Sequence, residues 1–192
     1  MSDPIARYRE WFNDAAAKGG QDPKAVFLAT VNALGHPSSR VVLVQSFDER
    51  GFVFFTNLLS EKAREIAAHP EVSMSVFWPL LERQVCIEGR AAPVTDAEAD
   101  AYFATRPRES QIGAWASKQS QTLASRALLE AGVRDADARF AGRPVPRPPF
   151  WGGFRVVPHA IEFWSARPGR LHERELFERE GSQAWTMRLL FP

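Results

Sequence analysis

A chain of 192 residues, 45% hydrophobic and 24% charged, has the length and composition of one globular domain with a real core. Its formal net charge of +1 leaves no dominant basic face, so no nucleic-acid partner is expected, and no apolar run approaches the ~20 residues of a membrane span. The single cysteine, Cys86, excludes an internal disulfide, and the start Met1-Ser2-Asp3-Pro4 lacks the basic and apolar regions of a signal peptide, so cytoplasm is the expected compartment.

Asp3 before Pro4 reads as a helix start. Ile5, Tyr8, Trp11, Phe12 and Ala15 then recur at helical spacing until Gly19-Gly20, which predicts a helix over about residues 4–18. The period then changes. Strands are predicted over Val26–Val31, Arg40–Ser46 and Phe52–Thr56, with turns at Gly35-His36-Pro37 and Asp48–Gly51. Ser60 can cap a short helix to His69, which Pro70 ends. Strands Val72–Trp78 and Gln84–Ala91 flank Pro79-Leu80-Leu81, and Cys86, between apolar neighbours, reads as a core residue. Thr95-Asp96-Ala97-Glu98 is a capping box opening a helix through Phe103, and a further helix is expected over Thr122–Phe140. Gly142–Pro149 carries four prolines and reads as a loop. Strands Phe154–Val157, Ile161–Trp164, Arg174–Arg179 and Ala184–Leu190 complete the chain, the last two joined at Gly181. Strands linked by tight turns favour antiparallel pairing, and a closed or partly closed barrel hides their edges. The expectation is a single mainly β domain with peripheral helices (α+β) over residues 1–192.

Arg106 to Ser120 holds too many arginines, serines and glutamines, and too few apolar positions, to be chiefly core-forming. Arginine forks beside hydroxyls and amides suit phosphate oxygens, which points to phosphorylated small molecules. No G-x-G-x-x-G follows a strand, and there is neither a P-loop nor a G-x-S-x-G elbow. His36, His69, His159 and His172 are scattered without ligand spacing, so no metal site is expected.

Several longer motifs occur together: Arg40-Val41-Val42-Leu43-Val44, Phe54-Phe55-Thr56-Asn57, Glu82-Arg83-Gln84-Val85 and Tyr102-Phe103 before Arg106-Pro107. They are followed by Ser110-Gln111-Ile112-Gly113-Ala114-Trp115, Lys118-Gln119-Ser120, Phe150-Trp151-Gly152-Gly153-Phe154-Arg155, Glu162-Phe163-Trp164 and Arg170-Leu171-His172-Glu173-Arg174. In this order, from Pro4 to Pro192, the chain resembles the pyridoxamine 5′-phosphate oxidase family. The resemblance implies an antiparallel FMN-binding split β-barrel, dimeric, with FMN at the subunit interface. It implies hydride transfer from C4′ of pyridoxamine or pyridoxine 5′-phosphate to the flavin, reoxidation by dioxygen, and release of pyridoxal 5′-phosphate and hydrogen peroxide. By motif, the FMN set is Arg40, Val41, Val42, Leu43, Val44, Phe55, Thr56, Glu61, Lys62, Gln84, Gln119, Ser120, Trp164 and Arg174. The substrate set is Gln45, Tyr102, Arg106, Ser110, Arg170, Leu171 and His172. Within it Arg170 and His172 are the catalytic pair, expected two apart on a strand and so facing one way.

Taken singly, these residues have plainer readings: Arg40 or Arg174 as a surface ion pair, Trp164 and Tyr102 as packing aromatics, Gln119-Ser120 as a cap. The chain also departs from the family pattern. Gln45 stands where a lysine is usual, Glu61 where a basic residue is usual, Phe55 where tyrosine is common, and only Met1 to Asp3 precede the first helix, where an arm is often found. Two other readings therefore stand beside the B6 oxidase: a related flavin oxidase acting on a reduced aromatic ring of the dihydrophenazine type, and a non-catalytic flavin or pyridoxal phosphate carrier.

Overall fold

The computed structural model describes residues 3–181 and 183–192; the Met1-Ser2 start, expected to carry no signal peptide, lies outside the described residues, as does Ser182. In chain order the elements are α1 (Pro4–Lys18), β1 (Ala25–Val31), β2 (Pro37–Asp48), β3 (Gly51–Asn57), α2 (Glu61–Ala68), β4 (Glu71–Trp78) and β5 (Arg83–Pro93). Then follow α3 (Asp96–Thr105), α4 (Arg108–Ala116), α5 (Arg126–Arg139), β6 (Trp151–Ser165), β7 (Glu173–Glu178) and β8 (Thr186–Leu190). The strands run β3-β2-β1-β4-β5-β6-β7-β8, every pairing antiparallel, and β3 also pairs with β6. That last pairing closes β1 to β6 into a barrel, from which β7 and β8 extend. No helix among the described residues is long and apolar enough to cross a membrane.

Helix α1 starts as its sequence dictates: the Asp3 carboxylate accepts the Ile5 N–H at 3.0 Å, and Pro4 occupies the first turn. Its buried face, Ile5, Tyr8, Trp11 and Ala15, covers one mouth of the barrel. Tyr8 is fully buried with the Phe47 and Phe52 rings edge-on at 4.8 and 4.9 Å. Large side chains buried this way contribute about 1.5–3 kcal/mol each. A second, smaller core gathers Phe103, Ile112, Ala136, Phe140, Val145 and Trp151, which seats α3, α4 and α5 against the start of β6.

Three expectations need correction. The segment 154–164 is not two strands but part of the continuous 15-residue β6. Pro158 has no N–H to give a ladder, yet it is accommodated at a register shift where Gly89 faces it. A Cβ on Gly89 would lie 2.4 Å from the Val157 carbonyl oxygen, so the close approach of β5 and β6 depends on its absence. The last helix begins at Arg126 instead of Thr122, because Ser125 caps it by accepting the Leu128 N–H. The donor-rich stretch after Arg106 folds as α4 and does contribute core, through Ile112 at 3% exposure.

Gly89→Ala should therefore destabilise the protein by about 1–3 kcal/mol, the usual penalty of overpacking, read as a lowered urea midpoint with unchanged slope.

Candidate active site

The end of β3, the first turn of α2 and the loop after α4 meet in one polar corner. Thr56 and Lys62 are buried there, at 7% and 8% exposure. The Lys62 ammonium donates to the Thr56 hydroxyl (3.3 Å), the Ser60 hydroxyl (3.4 Å) and the Gln119 side-chain oxygen (3.3 Å), and Thr56 donates to the same Gln119 oxygen at 3.1 Å. Among the described residues no carboxylate lies within ion-pair distance of this ammonium. Burial pushes the Lys62 pKa below the ordinary lysine range and the nearby Arg40 charge adds to this, with Glu61 and Glu65 opposing. A buried, unpaired cation ringed by hydroxyls and an amide is costly by itself and suited to an anion. Glu61, one position earlier, is exposed and makes no ion pair with Lys62. Ser120 is also exposed and adopts a left-handed conformation, φ 69°.

Arg40 stands beside this corner but is already engaged. Its guanidinium donates to the Thr30 hydroxyl, the Leu28 carbonyl (3.4 Å), Ser38 (2.6 Å) and the buried Glu65 carboxylate (3.1 Å). Burial alone would raise the Glu65 pKa, but hydrogen bonds from Thr30 and Ser38 and the Arg40 charge outweigh it and hold it low. Strand alternation sends Val42 and Val44 into the core, while Val41 and Leu43 are exposed at 54% and 44%. Gln45 is the extra residue of a β-bulge, since Val44 pairs with Phe54 and Ser46 with Val53.

Next to the polar corner a cavity of about 350 Å³ is lined by Thr56, Arg106, Ser110, Gly113, Gln119 and Trp151, among others. Arg106 follows the last turn of α3, its guanidinium 4.8 Å above the Trp151 ring. Its Nη1 is buried without a hydrogen-bond partner. Burial lowers the Arg106 pKa and raises that of Tyr102, one turn earlier on α3. Phe55 stacks on Tyr102 (centroids 4.2 Å apart) and lies parallel to Trp151 (5.4 Å). Gly153 makes room for it, because a Cβ there would stand 2.7 Å from Phe55 Cδ1. Trp151 and Asn57 were not anticipated as site residues; the Trp-Gly-Gly sequence, an aromatic before two residues without side chains, was the available signal.

A second cluster forms where Gln84, Trp164 and Arg174 stand in one row across β5, β6 and β7. Arg174 is clamped by both oxygens of Glu162 (2.7 and 2.9 Å), and the His172 ring lies 4.6 Å from Trp164. The Arg170–His172 pair is not on a strand, contrary to expectation. Pro168 and Gly169 force a tight turn that leaves Arg170 exposed with φ 61°, Leu171 72% exposed, and β7 beginning only at Glu173. His172 is oriented instead by the Arg167 N–H, which donates to its Nδ1 at 3.3 Å. Cys86, expected in the core, is half-buried beside Gln84, whose amide donates to its sulfur at 3.4 Å. Alternation places Val85 and Ile87 inward and Cys86 outward.

The two clusters lie at opposite ends of β6, Trp151 at one and Trp164 at the other, separated by roughly 40 Å of extended strand. One chain brings Phe55, Thr56, Lys62, Tyr102, Arg106, Ser110 and Gln119 together, but not with Gln84, Trp164, Arg174 or His172.

The family model described as pyridoxamine 5′-phosphate oxidase matches residues 12–139, and one described as the pyridoxine 5′-phosphate oxidase C-terminal dimerisation region matches residues 151–192. A pyridoxine/pyridoxamine 5′-phosphate oxidase of Anaeromyxobacter dehalogenans is 55% identical over 99% of this chain and 96% of its own. One from Rubrobacter xylanophilus is 54% identical over 93% of this chain and 82% of its own. Among solved structures, PhzG of Burkholderia lata, in complex with tetrahydrophenazine-1-carboxylic acid, is similar with TM-score 0.94 at 35% identity, covering 100% and 94% of the two chains. An FMN-binding protein of Nostoc punctiforme, related to pyridoxamine 5′-phosphate oxidase, shares the fold at TM-score 0.78 and 18% identity, covering 100% of both chains.

The Lys62 corner makes a testable statement about phosphate. Affinity for FMN should fall as pH rises through the lowered pKa of Lys62, where the ammonium loses its charge, while affinity for riboflavin, which lacks the phosphate, stays level. Flavin fluorescence titrations between neutral and alkaline pH check this, and parallel loss for both flavins would remove Lys62 from the phosphate site.

Proposed function

The chain belongs to the pyridoxamine 5′-phosphate oxidase family, and from that premise we propose that it oxidises pyridoxamine and pyridoxine 5′-phosphates to pyridoxal 5′-phosphate, with FMN as cofactor, dioxygen as acceptor and hydrogen peroxide as product. The observation that carries this reading is the buried Nη1 of Arg106, without a partner among the described residues, on a side chain that lines, with Ser110, the cavity that Thr56 and Gln119 share. Two cationic seats side by side, Lys62 and Arg106, suit two phosphates: one on the cofactor, one on the substrate.

The residues present fit FMN. Lys62, Thr56 and Gln119 would hold its phosphate, with the Arg40 charge behind them, while Gln84 and Trp164 would take the polar edge and flank of the ring system. When bound, FMN supplies the hydride acceptor that is reoxidised by dioxygen. The protein's own work is to bind and align. Tyr102, Arg106 and Ser110 seat the substrate phosphate. Arg170 and His172 cover the pyridine ring and reach its 3-hydroxyl, His172 being held by Trp164 and the Arg167 N–H.

Because the groups meant for one ligand stand at opposite ends of β6, the reading requires two copies, each lending its Trp164 end to the other's Lys62 end. The match of residues 151–192 to a dimerisation region supports this, as do Phe27, Val41, Leu43 and Phe77, exposed at 44–55% on the outer barrel surface. Gln45 and the likeness to the phenazine-pathway protein favour a second reading, oxidation of a reduced aromatic ring. Two cationic seats, Lys62 and Arg106, which suit one phosphate on the cofactor and one on the substrate, favour the first.

The discriminating assay is peroxide release from pyridoxamine 5′-phosphate against unphosphorylated pyridoxamine. Release with the phosphorylated compound alone is the expected result; none with either, in a protein that binds FMN, would leave the dihydrophenazine oxidase or the carrier. Gln45→Lys should lower the Michaelis constant for the phosphorylated substrate roughly tenfold, the worth of one charge-assisted hydrogen bond. An unchanged constant would place the bulge outside the phosphate site.

A further inference from the structure

Arg106 owes its place to two supports, the end of α3 and the face of Trp151 at the start of β6. A single side chain bonds to the first half of α3 and to the backbone at Trp151. Arg147, in the proline-rich loop before β6, donates from Nε to Asp100 (2.5 Å) and from Nη2 to Asp96 (2.7 Å), four positions apart on α3. Its Nη1 donates to the Trp151 carbonyl at 2.7 Å. The Arg147 side chain is only 14% exposed, whereas Asp100 and Asp96 are 61% and 89% exposed. Ion pairs to such wet carboxylates contribute little to stability, so stability does not explain a guanidinium sunk here with every nitrogen engaged. What a planar three-way fork fixes is orientation: the rotation of α3 relative to the backbone that carries the Trp151 ring, and with it the direction of Arg106. On the other flank Arg155 ties Glu98, the capping-box residue of α3, at 2.7 Å.

We propose that Arg147 is a positioning residue that sets selectivity for phosphorylated substrate by holding Arg106 in register with Trp151. The inference rests on the phosphate seat proposed above. It places a specificity determinant outside the pocket, on a residue that touches no ligand.

The test is calorimetric titration of the holoenzyme with 4-deoxypyridoxine 5′-phosphate and 4-deoxypyridoxine, which carry no oxidisable C4′ group and so separate binding from turnover. Arg147→Met is expected to lower the ratio of the two affinities about tenfold, the scale of a small misplacement of a binding group, with flavin content and 4-deoxypyridoxine affinity unchanged. Arg147→Lys should recover part of the ratio. The D96A/D100A double variant, which removes both acceptors at the surface of α3, should reproduce the Arg147→Met result and serves if that variant folds poorly. An unchanged ratio, or equal weakening for both ligands, overturns the proposal. Arg106→Met reports on the seat separately: a ratio that survives there sinks the phosphate reading itself, whatever Arg147 does.

Discussion

Strand β6 is hydrogen-bonded to β3, β5 and β7, and that sharing positions the groups at both of its ends. Its first half closes the barrel by pairing with β3, which brings Thr56 opposite Gly152 and lays Phe55 against Gly153. Its second half carries Trp164 between Gln84 and Arg174. An extended strand advances about 3.3 Å per residue, and the single bulge at Pro158 bends β6 without bringing its two ends together. The distance between the clusters is thus a property of the backbone. The match of residues 151–192 to a dimerisation region accords with a fold that keeps these clusters apart within one chain.

Charge is distributed with the same economy. Several interior arginines are matched: Arg40 by Glu65, Arg155 by Asp48 and Glu98, Arg147 by Asp96 and Asp100. Lys62 has only hydroxyls and an amide, and Arg106 only ring faces and an empty Nη1. Removing a cation from water without a counter-charge costs several kcal/mol before relaxation. Among the described residues these two cations alone of the group just named have no carboxylate partner, an arrangement suited to an anion. Arg40, which the motif assigns to the cofactor phosphate, has its guanidinium engaged by Thr30, Ser38 and Glu65.

Local signals were legible where one element decides its own form. Asp3-Pro4, the Thr95–Glu98 capping box and the apolar spacing of α1 all appear in the structure as read. Misreadings arose where a distant segment overrules the local pattern. Pro158 looks like a strand breaker until Gly89 makes room for a bulge. The donor-rich α4 looks solvent-facing until α5 and Trp151 cover Ile112. Arg170 and His172 are the local exception: the adjacent Pro168-Gly169 turn, not a distant segment, takes them off the strand.

From sequence alone came the helix starts, most strands, the β-rich class and, through motifs in a fixed order, the family; all depend on residues near one another along the chain. Only tertiary structure decided which cations are paired, since Arg40 and Glu65 lie 25 positions apart and Lys62 and Gln119 lie 57 apart. It also decided that Arg147 reaches back about 50 positions to grip α3, at Asp96 and Asp100. Such pairings leave no periodic trace, because the energy of a buried charge is set by what the closed barrel brings beside it.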